Sequence, residues 1–400
     1  MNIFQRIYIS LLMRLYRKVY IPYQAKKIRK KEKIRVLFVL SSLGAWKSES
    51  LYKEMIKHPR FDPFILICPY EDENWNQLIE YCQINGYNFD IGKDVNINTQ
   101  KIYKPDLIFY QKPYGHGYAK NLKSLFCYTT YTFHNSIQAE AYKTDLIYNC
   151  WQVYYENNFL CNFYSSNLGR GIVNGYATGI PYMDDLLIPK ENLKDPWPKK
   201  SNKKRVIYAP HHSINPDNWW QTSTFLEIGE IMLELAEKYS NKIQWAFKPH
   251  PLLRGKLESL WGKEKTDVYY NRWAESSWSQ FEDGEYLGLF KYSDALIHDC
   301  GSFMVEYHVT KNPVLFLLRS QPTQQPWNDI YLKAYNLHYK AHSKTEIEQF
   351  ILNIIENNDP QQPQRKNFYS DFFIPPYNRT ASKNIIDCIL SKDAKKKYRN

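Results

Sequence analysis

Several sequence signatures that would assign a chain to a well-known class are missing from this one. None of the seven cysteines has CxxC spacing, so neither a zinc ribbon nor a disulfide framework is indicated, and a reduced environment is expected. The GxGxxG fingerprint of dinucleotide-binding proteins does not follow the first apolar run. Histidines do not occur at metal-ligand spacing with a matching carboxylate, so we expect no metal site and no cofactor.

The amino-terminal segment also lacks the features of a membrane span or a signal peptide. Met1–Pro22 is too short and too charged to cross a bilayer, and it has no unbroken apolar core with a small-residue cleavage site. Its apolar residues recur at helical intervals, and a basic run follows. This pattern predicts an amphipathic basic segment, residues 1–33, on an anionic membrane surface, with the protein peripheral on the cytoplasmic face of the cell membrane. A helix packed on the protein's own body is the alternative.

The positive charge of the chain is concentrated in this segment. The formal net charge is +12, and residues 1–35 carry eleven Lys and Arg residues against one Glu. The remainder is nearly balanced, which disfavours a uniformly basic surface for nucleic acid. We therefore expect a basic arm and no nucleic-acid partner.

Short apolar runs alternate with helical segments along the rest of the chain, which predicts parallel, doubly wound α/β domains. A first domain, residues 34–188, contains predicted strands at Ile34–Leu40, Phe64–Cys68, Asp106–Tyr110 and Leu125–Thr130. A second domain, residues 205–390, contains predicted strands at Arg205–Ala209, Ile243–Phe247, Ala295–Ile297 and Val314–Leu318. The Lys-, Pro- and Asn-rich residues 189–204 are the predicted linker, and residues 391–400 a basic tail. Two such domains facing a cleft suit a transferase.

Three strands of the second domain end in polar turns with related side chains. Carboxyl ends of parallel strands share one edge of a sheet, where ligands bind and where helix amino termini attract phosphate. Gly301 lets a backbone come close, and Ser302 can cap the next helix and offer a hydroxyl. Together the turns predict a site for a negatively charged group such as a pyrophosphate, although each histidine could instead satisfy its own turn. The candidate residues are His211, His212, Ser213, Lys248, His250, His298, Asp299, Gly301 and Ser302.

The first domain carries one candidate for proton transfer. His134 follows a strong predicted strand, in a polar turn, and imidazole is the side chain best suited to take a proton near neutral pH. A structural role in the turn is the alternative reading. No acidic pair and no Ser/His/Asp spacing competes with it.

The motifs resemble those of the CDP-glycerol glycerophosphotransferase family, the polymerases and primases of teichoic acid and related capsule-type polymers. The matching stretches are NGYATGIPYMDDL (174–186), YAPHHSI (208–214), FKPHP (247–251), SDALIHDCGSF (293–303) and KNPVLFL (311–317). The resemblance implies a GT-B fold. It also implies attack of an acceptor hydroxyl, on a lipid-linked or polysaccharide acceptor, at the β-phosphate of CDP-glycerol or a related CDP-polyol, with release of CMP.

The resemblance further implies roles for individual residues. His134 would be the base, since Phe133-His134-Asn135-Ser136 is the nearest match to the family's Trp-His-Gly-Thr setting. His250, the second catalytic candidate, would contact the pyrophosphate. The family's SDYSS turn corresponds to residues 298–302, which keep Ser302 as the remaining hydroxyl donor, and this departure suggests a different donor or acceptor.

Two other functions share parts of this pattern. A GT-B glycosyltransferase that uses a nucleotide-sugar donor for surface polysaccharide synthesis would have the same architecture. A non-catalytic, membrane-bound scaffold would bind no nucleotide, and the retained set of histidines disfavours it. The donor that yields a product distinguishes the glycosyltransferase from the CDP-alcohol transferase.

Overall fold

Two parallel β-sheets organise the chain, one of seven strands and one of six. The computed structural model describes residues 15–69, 75–93, 95, 97–113, 123–135, 143–168, 174–198, 202–215, 223–284, 286–319 and 327–399. The first unit comprises the described residues within Met1–His134, Gln138–Asp185 and Ile374–Asn400, and the second comprises those within Asn135–Ile137 and Leu186–Phe373.

The sheet of the first unit has the strand order β3-β2-β1-β4-β5-β6-β7, with all its described pairs parallel. Its central strands are continuous apolar runs because helices cover both faces of such a sheet. The strands are β1 Ile34–Leu40, β2 Phe61–Ile67, β3 Phe89–Ile91, β4 Leu107–Tyr110, β5 Leu125–Thr129, β6 Gln152–Tyr155 and β7 Gly175–Ala177. The helices are α1 Ile21–Arg29, α2 Glu49–Lys57, α3 Trp75–Ile84, α4 Ile97–Tyr103, α5 Asp145–Asn149, α6 Asn158–Leu168 and α7 Pro181–Leu186.

Helix α1 packs one apolar face on the core of the first unit. Ile21, Ala25 and Ile28 are buried there together with β1 residues. This face of α1 therefore packs on the protein's own body, which was the alternative to membrane binding. Residues 1–14 of the predicted membrane-surface segment lie outside the described residues. None of the helices in the described part of the chain combines the length and the apolar character needed to cross a membrane.

The sheet of the second unit repeats the doubly wound order, β10-β9-β8-β11-β12-β13. Its described pairs are also parallel. The strands are β8 Lys204–Ala209, β9 Ile243–Phe247, β10 Ser279–Phe281, β11 Ala295–His298, β12 Val314–Leu317 and β13 Tyr339–Ala341. The helices are α8 Phe225–Lys238, α9 Leu253–Trp261, α10 Lys263–Glu275, α11 Leu287–Lys291, α12 Phe303–Glu306, α13 Asp329–Asn336, α14 Lys344–Ile355 and α15 Gln362–Phe372. The predicted α/β fold is confirmed.

The carboxyl-terminal segment returns to the first unit, which corrects the predicted domain boundaries. Residues 374–390 were assigned to the second domain and 391–400 to a separate tail. Instead, α16 (Ala381–Leu390) and α17 (Ala394–Tyr398) pack on the core that contains β1. The Asp184 carboxylate accepts the backbone N–H groups of Ala381 and Ser382 at 2.7 and 2.8 Å. These contacts join the end of the chain to α7.

The predicted linker, residues 189–204, is also packed where it is described. The Trp197 indole is buried in the second unit and donates its N–H to the Leu289 carbonyl at 3.2 Å. A Cβ added to Gly288 would lie 2.3 Å from the Lys194 carbonyl oxygen, so glycine permits this close approach. The polar composition of the segment therefore does not make it a free linker.

We expect Asp184→Ala to lower the free energy of unfolding by about 1–2 kcal/mol, because it leaves two backbone N–H groups at the start of α16 without their acceptor. Glu237→Ala is the control, since it removes an exposed ion pair with Arg272 in the second unit. Urea unfolding followed by fluorescence measures both. Equal midpoints for the two variants would contradict the role given to Asp184.

Candidate active site

Three neighbouring strands of the second sheet, β9, β8 and β11, end at the same edge. The turn after β8 carries His211 and His212, and the turn after β9 carries Lys248 and His250. The turn after β11 is the segment 299–302. Strands β8 and β11 flank the point where the strand order reverses, which is where doubly wound sheets bind ligands. The topology therefore brings together the three turns singled out in the sequence.

The rings of His211, His212 and His250 form a cluster. The ring centroids are 4.3 Å apart for His211 and His212, 4.1 Å for His212 and His250, and 5.1 Å for His211 and His250. One ring nitrogen of each lies within 4.8 Å of one ring nitrogen of each of the others, a spacing compatible with a metal ion. Sequence spacing did not predict a metal site here, and the hydrogen bonds of the ring nitrogens decide whether the cluster suits a metal ion.

The Nδ1 atom of each ring in the cluster already accepts a hydrogen bond. His211 Nδ1 accepts the Ser213 backbone N–H at 3.3 Å, and His250 Nδ1 accepts the Leu252 backbone N–H at 3.2 Å. The Lys256 ammonium lies 2.9 Å from His212 Nδ1 and donates to it. Since these donors cannot accept a proton, each neutral ring carries its proton on Nε2. The cluster therefore offers N–H donors, which suit an anion better than a metal ion.

The cluster is polar but largely uncharged at neutral pH. Burial is the main reason that the pKa values of His211, His212 and His250 are lowered, and repulsion from Lys256 adds to it. The nearby cations supply the positive charge. Lys248 donates its ammonium to the Gly284 carbonyl at 2.8 Å and lies 5.7 Å from the centroid of the Tyr286 ring.

Asp299 anchors the turns to one another from inside. Its carboxylate is fully buried, and Oδ1 accepts the His211 backbone N–H at 2.6 Å. Oδ2 accepts both the backbone N–H and the hydroxyl of Thr224, at 2.6 and 2.9 Å. Burial raises the pKa of Asp299 to about 6. Asp299 therefore fixes His211 and the start of α8, which is a positioning role rather than direct contact with phosphate.

The remaining hydroxyls and the glycine differ in their exposure. Ser213 is buried and lies 2.9 Å from His211 Nδ1, so it supports the ring. Ser302 is exposed, and its hydroxyl lies 3.0 Å from the Cys300 thiol instead of capping α12. Helix α12 has only four residues, which weakens the expected anion site at its start. A Cβ at Gly301 would meet no described atom within 4 Å, so Gly301 leaves space.

His298 does not join the cluster, and its predicted contact with donor phosphate is corrected. Its side chain is fully buried, as the last residue of β11. Nδ1 lies 3.1 Å from the Cys300 backbone nitrogen, and Nε2 lies 3.1 Å from Nε2 of His338. Because both ring nitrogens bond to the protein's own groups, neither is left for a ligand.

The first unit places His134 beside a carboxylate that the sequence analysis missed. His134 is fully buried, and its Nδ1 lies 3.0 Å from Glu156 Oε2. The same carboxylate accepts the His134 backbone N–H at 2.8 Å, and the ring packs between Tyr155 and Tyr164. Donation from Nδ1 fixes the neutral tautomer in which Nε2 is the basic nitrogen. An imidazole oriented in this way can act as a base, which is the role that the sequence predicted for His134.

Other contributors to the site were also overlooked in the sequence. Glu156 directly follows the apolar strand β6, and that position is the signal that could have revealed it. Lys256 lies on α9, one turn after the FKPHP motif, where a basic residue can reach back to the preceding turn. Thr224 precedes α8 and has no distinguishing local pattern, so only the fold identifies it as a partner of Asp299.

Two doubly wound parallel units, one with polar turns on adjacent strand ends, have a GT-B-like fold. The sequence model of the CDP-Glycerol:Poly(glycerophosphate) glycerophosphotransferase family matches residues 116–391. The chain belongs to this family, as its motifs predicted. The match extends on both sides of the stretches on which the resemblance rested. No curated protein matches the chain.

Solved structures with the same fold cover nearly the whole chain. The wall teichoic acid polymerase TagF, in a histidine-to-asparagine variant, aligns with a TM-score of 0.63 and 15% identity over 98% of this chain and 98% of its own. Such a variant soaked with CDPG gives a TM-score of 0.62 at the same identity and coverage. A UDP-N-acetylglucosamine 2-epimerase from Listeria monocytogenes, described as putative, gives 0.57 and 12% identity over 92% and 98%. At these identities the likeness establishes the fold.

Stability of the second unit should fall in mild acid. Burial lowers the pKa of His298 and His308 to about 3, and that of His338 well below its usual value. Below about pH 6.5 the unfolded chain binds protons that the folded one does not, so each buried ring removes up to about 1.4 kcal/mol of unfolding free energy per pH unit. Asp299 acts in the opposite direction between pH 6 and its unfolded pKa of about 4, because its folded pKa is raised.

Urea unfolding at pH 7 and pH 5 measures the difference. His308→Gln, which keeps a donor at the Nε2 position, should reduce the pH dependence. His342→Gln, at an exposed histidine of the same unit, should leave it unchanged. Identical pH dependence in the wild type and His308→Gln would contradict the assignment of buried neutral rings.

Proposed function

We propose that this transferase moves a glycerol-phosphate or related polyol-phosphate unit from a CDP-alcohol to a hydroxyl of a lipid-linked or polysaccharide acceptor, in the synthesis of a teichoic acid-like or capsular polymer. The observation that carries the donor half of this proposal is the cluster of His211, His212 and His250. Its rings are fixed with Nε2 protonated, and two lysines lie beside it. Imidazole N–H groups and ammonium groups are donors that suit a diphosphate.

The proposed reaction is a displacement at the β-phosphorus of the CDP-alcohol. The acceptor oxygen forms a bond to this phosphorus, and the bond from phosphorus to the oxygen that bridges to the α-phosphate breaks. CMP leaves with that oxygen and its electron pair. Negative charge grows on the leaving phosphate, and His250 with Lys248 and its neighbours stabilises it. The acceptor proton has to go to a base.

His134 takes that proton in the proposed mechanism. Its Nδ1 is held by Glu156, which leaves Nε2 as the atom that binds the proton and lets the carboxylate stabilise the imidazolium that forms. Glu156 therefore orients the base. Orienting His134 accounts for the fully buried carboxylate of Glu156 beside this ring.

A nucleotide-sugar donor is the competing possibility, because the epimerase neighbours share the fold. One of them, from Neisseria meningitidis, is described as bound to UDP-GlcNAc, with a TM-score of 0.56 and 16% identity over 88% of this chain and 99% of its own. Family membership favours the CDP-alcohol, and no contact in the described residues favours a sugar.

A donor screen tests the proposal. Purified protein is incubated with an acceptor extract and with CDP-glycerol, CDP-ribitol or UDP-sugars, and nucleotide products are separated by chromatography. We expect acceptor-dependent CMP release from a CDP-alcohol. Release of UDP with sugar transfer would support the glycosyltransferase, and failure of every donor to bind would contradict both.

The two histidine sites predict different kinetic effects. His134→Ala should lower kcat by about 100-fold or more with unchanged donor affinity, because it removes the base. His250→Ala should lower kcat/KM by about 100-fold or more and weaken donor binding, because it removes a phosphate contact. Glu156→Gln should lower kcat less than His134→Ala does. The exposed His342→Ala is the matched control, and wild-type kinetics for both site variants would refute the assignments.

Membrane association at the cytoplasmic leaflet is part of the proposal. The buried face of α1 is used by the protein itself, but Leu15, Val19 and Tyr23, one helical turn apart, have 59, 60 and 63% exposed side chains. Exposed lysines flank this stripe, namely Lys18, Lys26, Lys27 and Lys30. An apolar stripe between lysines fits the surface of an anionic bilayer, with the apolar side chains in the interface.

The test is sedimentation with vesicles of phosphatidylglycerol and phosphatidylcholine. Val19→Asp combined with Tyr23→Asp should weaken binding by roughly tenfold or more, since two apolar side chains become anionic. Ile84→Asp, at an exposed apolar residue of α3 away from the lysines, is the control and should bind as the wild type does. Unchanged binding of the double variant would contradict the role of the stripe.

A further inference from the structure

Three fully buried histidines, His298, His308 and His338, lie behind the turn after β11, and the proposed reaction does not use them as ligands. His298 Nε2 and His338 Nε2 are 3.1 Å apart. His338 Nδ1 lies 2.8 Å from the Ala334 carbonyl oxygen, and His308 Nε2 lies 3.1 Å from the same oxygen. All three residues are buried, with 0–1% of their surface exposed. Buried polar rings in direct contact require one consistent arrangement of protons.

That arrangement follows from the atoms at the two ends. The Ala334 carbonyl can only accept, so His338 must carry its proton on Nδ1, which leaves His338 Nε2 as an acceptor. His298 must then donate from Nε2, and in the neutral ring its Nδ1 is bare. Burial lowers the pKa of both rings, which keeps them neutral. A bare Nδ1 accepts the Cys300 backbone N–H at 3.1 Å rather than donating to the Cys300 carbonyl at 3.0 Å.

The chain of hydrogen bonds ends at the candidate active site. The Cys300 N–H bond holds the backbone on the carboxyl side of Asp299, and β11 holds it on the other side. Asp299 in turn accepts the backbone N–H of His211, a member of the histidine cluster. The Ala334 carbonyl, on α13, sets the tautomers of His338 and His298. The tautomer of His298 in turn fixes the Cys300 backbone hydrogen bond in the turn that anchors His211.

We infer that His338 is a positioning residue for the candidate donor site, which acts by fixing the Nε2-protonated tautomer of His298 and thereby the Cys300 backbone bond beside Asp299. It touches neither donor nor acceptor. The coupling to donor affinity rests on the proposed function, whereas the effect on the turn does not. Without an acceptor at His338 Nε2, His298 is free to move its proton to Nδ1 and bond the Cys300 carbonyl instead.

Side-chain amides can replace one ring nitrogen at a time, which gives a sharp test. A Gln amide reaches the position of Nε2, and an Asn amide reaches that of Nδ1. At residue 338, Gln keeps the acceptor for His298 and Asn loses it. At residue 298 the order reverses, because Asn keeps the acceptor for the Cys300 N–H and Gln loses it. A role in packing alone gives no reason for opposite rankings at the two positions.

Two readouts follow the effect. Hydrogen exchange at the Cys300 amide, measured by mass spectrometry of peptides that span residues 298–303, should be about tenfold faster in His338→Asn and His298→Gln, as expected for one lost hydrogen bond. It should stay within about twofold of wild type in His338→Gln and His298→Asn. Calorimetric Kd values for CDP-glycerol should rank the same way.

His308→Asn is the matched control. It loses a bond to the same Ala334 carbonyl but does not contact His298 through a hydrogen bond. We expect a lower Tm with wild-type exchange at Cys300 and wild-type donor affinity. If the Asn and Gln variants rank alike at both positions, or if His308→Asn speeds exchange equally, the inference is overturned. Should the wild type bind no CDP-alcohol, the proposed function fails, and the exchange rates alone decide whether His338 positions the turn. If either variant of His338 does not fold, the comparison of His298→Asn with His298→Gln decides whether the inference holds.

Discussion

The candidate site depends on one buried carboxylate, that of Asp299. It accepts three hydrogen bonds, one from His211 and two from Thr224, and so joins the end of β11 to the turn after β8 and to the start of α8. Hydrogen bonds to an ionised group are worth roughly 1.5–3 kcal/mol each, which offsets much of the cost of burying the charge. The raised pKa of Asp299, about 6, shows that the offset is incomplete. A less costly residue could not satisfy three donors at once.

The sequence predicted the sheets well where a strand is a continuous apolar run between polar breaks. Strands β1 and β9 have the predicted bounds, since buried parallel strands are apolar on both faces. Strand β13 was missed because it has only three residues and its middle residue is the exposed Lys340. The return of α16 to the first unit was missed for another reason. Its amphipathic pattern fits either unit, and its position depends on long-range contacts such as those with Asp184, almost 200 positions earlier.

For the site, the sequence identified the right turns but not the direction of each side chain. His298 and His211 both lie where a strand ends, yet only His211 belongs to the cluster. Side chains of a strand alternate between its two faces, and His298 is still part of β11, so its direction is set by the sheet. Its partner, His338, is forty residues away and carries no motif. Local pattern therefore identifies chemistry, whereas long-range contacts decide which residue presents it.

Neutral imidazoles have a consequence for the proposed reaction that fixed cations would not have. Burial, with repulsion from neighbouring rings and from Lys256, disfavours protonation of His211, His212 and His250. Because each Nδ1 already accepts a hydrogen bond, the rings meet a diphosphate as neutral N–H donors rather than as cations. Such donors can form hydrogen bonds to the charge that develops on the departing phosphate in the proposed reaction. Lysines and arginines alone would hold substrate and product with the same fixed charge, which stabilises the ground state as much as the transition state.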